Sequence, residues 1–168
     1  QSFLCATVFM VFFGREASTP ATQSSSFNDP VTLMYYPGQM FKFGLAALGC
    51  YAVHAVFHLL HGRPEELLWA CHLGAALVGI GLVFSSATIN GIGLLFLCLG
   101  TPQWLLYLAA GGEFFPTSCF THLGGLAIGL YGARRLGLPP ATSWKAVVAL
   151  IGLILICRLA TPPAANVN

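Results

Sequence analysis

Between residues 43 and 159 the sequence offers five apolar segments of about bilayer length, divided by short polar breaks. They run over 43–61, 67–84, 89–109, 115–133 and 143–159. Crossing a hydrocarbon core takes about 20 apolar residues in an α-helix, which satisfies its own backbone donors and acceptors where no water can. The repeat predicts an all-α, polytopic integral membrane helix bundle. Residues 2–13 form a sixth apolar run, too short to span alone. It is read as the end of a first helix whose beginning precedes Gln1. The expectation is about six transmembrane helices in one domain covering 1–168.

Composition agrees. The chain is 57% hydrophobic and 7% charged, whereas soluble domains carry roughly 25% charged residues. So few charges cannot cover a water-facing surface, but a lipid-facing one needs none. A net charge of +2 without a basic stripe argues against nucleic acid. The expected surroundings are the lipid bilayer and other membrane subunits.

Local signals set the boundaries. Pro64, Glu65 and Glu66 suit the start of the 67–84 helix, Pro116 suits the first turn of the 115–133 helix, and Pro162-Pro163 follow the last. Short connections make neighbouring helices antiparallel hairpins. Residues 16–39 form the long loop, with Ser24-Ser25-Ser26 and a turn at Asn28-Asp29-Pro30. The side holding this loop carries Arg15, Lys42, Arg134, Arg135 and Lys145, against Arg63 and Arg158 opposite. That excess puts the loop on the cytoplasmic or matrix side of a plasma, inner or organellar membrane. Gly125-x-x-x-Gly129 and Ala75-x-x-x-Gly79 match the small-residue pattern of close helix packing.

Chemistry concentrates in histidine. His54, His58 and His61 recur at spacings of four and three, along one helix face. Helix rise puts His58 about 6 Å and His54 about 12 Å below the end of their helix, His72 about 8 Å and His122 about 10 Å below the starts of theirs. All three ends face the side opposite the long loop. Four histidines from three helices therefore share one layer, with His61 at its mouth. Imidazoles in hydrocarbon are costly unless paired, and mark candidate functional sites. His54, His58, His72 and His122 are the candidate ligands, for a transition metal or for haem b held between two imidazoles with Arg63 on a propionate.

The six cysteines stand singly with no CxxC and are read as packing residues. Cys71 and His72, being adjacent, are expected to point apart. No GxSxG, phosphate-binding loop or dinucleotide fingerprint occurs, and the one aspartate, Asp29, lies in the long loop. The expected function is a small subunit of a larger membrane complex, binding metal or haem through the histidine layer. The alternatives are a metal-dependent membrane enzyme acting on a lipid or quinone-like substrate, then a small-molecule carrier.

Overall fold

The structure, a computed structural model, describes residues 37–162. The expected helix at 2–13, and the long loop as far as residue 36, lie outside the described residues. Within them every regular element is helical. Helix α1 spans Pro37–Leu60, a 3-10 turn Pro64–Leu68, α2 Ala70–Val83 and α3 Ala87–Ala109. Then come α4 at Pro116–Cys119, a π turn at Phe120–Gly124, α5 at Gly125–Leu136 and α6 at Thr142–Ala160. The backbone stays in the right-handed helical region through Cys119, Phe120, Gly124 and Gly125, so α4, the π turn and α5 form one continuous rod.

Three segments, Gly38–Leu60, Ala87–Ala109 and Thr142–Ala160, are long and apolar enough to cross a membrane. This is the architecture of a membrane helical protein. Helix α2, at 14 residues, reaches only about 21 Å against a core of about 30 Å. The single helix expected over 67–84 is thus split. Its first part is the 3-10 turn, and Trp69, at φ −59° and ψ 133°, interrupts the helical path before α2 begins. Helix α1 starts six residues earlier than the expected 43, at Pro37, whose fixed φ and missing N–H suit a first turn.

Contacts at glycines give the register. Gly44 of α1 faces Gly79 and Val83 of α2, while His54 meets His72, so these two run antiparallel. Gly74 faces Gly93, Gly81 faces Asn90 and Cys71 faces Gly100, making α2 and α3 antiparallel as well. Gly125, Gly129 and Gly132 lie in turn on Ala75, Val78 and Leu82, so the rod runs parallel to α2. Gly125, Gly129 and Ala75 thus serve the approach of α5 to α2, whereas Gly79 serves the approach of α1 to α2. A side chain at Gly81 would run into the backbone of Asn90. Glycine there sets the distance between α2 and α3.

The outer faces are apolar, and the interior mixes apolar side chains such as Val78, Leu82 and Leu97 with polar ones. Large exposed side chains include Val53, Val56 and Leu60 on α1, and Val148, Ile151 and Ile156 on α6. The buried polar side chains include His54, His58, His72, His122, Asn90, Thr101 and Thr121. Helices of this kind suit lipid outside and place their chemistry in the middle.

Candidate metal centre

Two local departures from the α-helix build the site. In an unbroken helix the Glu66 carbonyl would take the N–H of residue 70. The interruption at Trp69 leaves it to accept from Trp69 N at 3.3 Å and from His72 Nδ1 at 2.8 Å. A carbonyl accepts only, so His72 carries its proton on Nδ1. In the neutral ring Nε2 then offers a lone pair. His54 Nε2 lies 3.1 Å from it and donates. That leaves His54 Nδ1 to accept from the Thr117 hydroxyl, 3.0 Å away. Three helices are joined by one polarised chain.

The second departure is the π turn. The Thr121 hydroxyl donates to the Ser118 carbonyl at 3.0 Å, the carbonyl that a regular ladder would offer to residue 122. Gly125 N–H reaches five residues back to Phe120. The widened turn lets consecutive residues, Thr121 and His122, both face inward and be fully buried. Such turns recur at functional sites.

The four rings form one contiguous cluster. His54 is 4.3 Å from His58 and 4.2 Å from His72, and His72 is 5.6 Å from His122, centroid to centroid. The Trp104 indole stacks on His122 at 4.6 Å and 5° between planes. His61 stays outside, exposed, with Nδ1 2.7 Å from the Phe57 carbonyl.

One donor atom from each of Cys71, His72 and His122 lies within 4.8 Å of the others, and all three residues are buried. This group can hold a metal ion. The expectation that Cys71 points away from the site is therefore corrected. Adjacent residues on α2 diverge by about 100°, but both can straddle the groove that the rod occupies. Gly100 of α3 leaves room for the Cys71 side chain. Of the histidines expected as ligands, His72 and His122 belong to this group, while His54 and His58 lie alongside it.

Some of the buried atoms without a partner lie in this cluster. His122 Nδ1 and both ring nitrogens of His58 are buried without a hydrogen bond. His58 Nδ1 is 3.2 Å from the Glu66 carboxylate, close enough to attract but not aligned to bond. An unmet buried polar group costs about 1–3 kcal/mol.

Haem finds no support in this geometry. The His72 and His122 rings touch edge to face, with Trp104 against the second, leaving no slot for a porphyrin between them. Arg63, expected on a propionate, instead pairs with Glu66 at 3.4 Å and Glu113 at 3.0 Å. The hydrogen bond and opposite charge of Glu113 raise its pKa above the ordinary arginine value. No protein-family model, characterised protein or solved structure matches this chain.

Proposed function

We propose that this protein is a multi-pass membrane subunit that holds one transition-metal ion inside the bilayer through Cys71, His72 and His122. The observation that carries the reading is the convergence of three buried donor atoms from two helices within 4.8 Å. A thiolate with imidazoles suits Zn²⁺ or Cu⁺ better than a hard cation. The Glu66 carbonyl on His72 Nδ1 is the outer support that metal-bound histidines commonly have; it sets the lone pair on Nε2, where an ion would take the place of the His54 hydrogen bond. An ion there also supplies a partner that buried His122 lacks.

We extend this to six membrane helices. The 3-10 turn with α2, and the rod over 116–136, serve as two short or irregular spans beside the three long ones; the sixth, expected at 2–13, lies outside the described residues. The alternating register of α1, α2, α3 and the rod supports this count. Membrane-impermeant labelling of Arg63→Cys and Gly137→Cys should mark opposite faces; labelling from one face sinks the six-helix reading. Apolar outer faces such as that of α6 suit neighbouring subunits as well as lipid.

One observation favours a catalytic reading. A tetrahedral ion held by three protein donors would have a fourth position for water or substrate, as catalytic sites do. Its location within apolar helices suits a lipid or quinone-like substrate.

The test is metal content. Purified in mild detergent and offered Zn²⁺ or Cu⁺, the protein should retain about one ion per chain, as a single structural or catalytic site does. Cys71→Ser and His122→Ala should lose it while keeping helical circular dichroism. A wild-type protein that takes up neither ion refutes the reading.

A further inference from the structure

Resting on that metal-centre reading, we infer that the ion reaches the buried site by a ladder of side chains running from Glu66 through His58 and His54. Arg63 and Glu113 stand at its aqueous foot. Exposure falls steeply along the path. The Arg63 side chain is 43% exposed, Glu66 27% and His58 1%. Each step is short. Arg63 is 3.4 Å from Glu66, and Glu66 3.2 Å from His58. The His58 and His54 rings are 4.3 Å apart, and His54 Nε2 is 3.1 Å from His72 Nε2. His72 then belongs to the three-residue centre.

The spacing matters because a bare cation in a low-dielectric interior is very costly. An ion that gains a new ligand before losing the last one never meets that full cost. His58 fits such a transit role. It is buried, both its nitrogens lack hydrogen-bond partners, and it lies outside the three-residue centre. A side chain kept only for packing would do better without two unmet polar atoms.

The foot of the ladder attracts cations. Glu65, Glu66 and Glu113 set three carboxylates against the single guanidinium of Arg63. Arg63 also covers the Phe115 ring at 5.6 Å, and Phe115 lies edge-on to His58 at 5.5 Å. Arg63 thus occupies the carboxylate and shields the ring that an incoming ion must pass. Releasing it opens the foot.

A residue on the route differs from a ligand in its kinetics. It stabilises passage and not the bound state, so its loss slows association and dissociation by one factor and leaves Kd unchanged. The probe is Co²⁺ alone, mixed by stopped flow with the purified full chain and read by the thiolate-to-cobalt absorption that Cys71 would give. Glu66→Gln should slow both rates by about tenfold, a barrier increase of about 1.4 kcal/mol. His58→Phe should slow them further, and Arg63→Gln should accelerate both. Glu66→Gln removes the carboxylate charge and keeps the backbone carbonyl that holds His72, and equilibrium Kd read beside the rates tells a change of route from a change of centre. Unchanged rates in Glu66→Gln overturn the route while the metal centre stands. A weaker Kd with an unchanged association rate makes Glu66 a ligand and also overturns it. Wild-type protein that gives no cobalt band removes the centre and the route together.

Discussion

The two ends of the bundle solve the problem of buried polarity differently. At one end, α1, α2 and the rod bring together four imidazoles and a thiol, with helices broken or widened to admit them. At the other, Gly44, Gly79, Gly81 and Gly132 let the helices close on each other. The chief polar group there is Asn90, whose amide donates to the Gly129 carbonyl at 3.3 Å. Both ends contain unpartnered atoms, since Asn90 Oδ1 and Thr142 Oγ1 lack partners just as the histidine nitrogens do. Orphaned atoms alone therefore do not mark a site. The glycine end contains isolated amide and hydroxyl oxygens pressed against small residues. The histidine end contains several good metal donors within reach of one another, which packing does not require.

The comparison can be broken at either end. The largest expected effect is at the glycine end. Gly81→Leu drives a side chain into the Asn90 backbone and should cost about 3 kcal/mol or more, at the upper end of overpacking. Gly152→Leu, where nothing lies within 4 Å, should be close to neutral. Detergent-denaturation curves of the two variants measure the difference, and equal stability would mean that the glycines do not set the helix distances. The smaller effect has the opposite sign. In metal-stripped protein, His122→Phe keeps a flat ring under Trp104 and removes a buried nitrogen that has no partner. It should stabilise the bundle by about 1 kcal/mol, the lower bound for relieving an unmet polar group, while abolishing metal uptake. A destabilised His122→Phe protein would make the histidine end another packing region and erase the contrast.

Much of this contrast is legible in the sequence, but unevenly. The apolar segments give the helices, and three of them appear as continuous elements long enough to cross a membrane. Counting 1.5 Å per residue brings the histidines to a common depth, and four rings in contact are what the structure shows. The count cannot show where the ladder of hydrogen bonds fails. The interruption at Trp69 and the π turn around His122 arise from local competition among a proline, a threonine hydroxyl and neighbouring carbonyls, which hydrophobic periodicity does not register. Cys71 escapes for a related reason. The rule that adjacent helical residues diverge is correct, but a closely packed groove can receive both, and Gly100 is the one sequence sign that α3 leaves space.

The Glu66 carbonyl has a consequence for how this protein can change over generations. It orients His72 from the main chain, so no exchange of side chain at position 66 can delete it. Its carboxylate neighbour, by contrast, is open to drift. Inheritance can therefore alter how readily the interior is reached while leaving the His72 ring in its place, and related chains could differ in speed at position 66 while sharing the same destination.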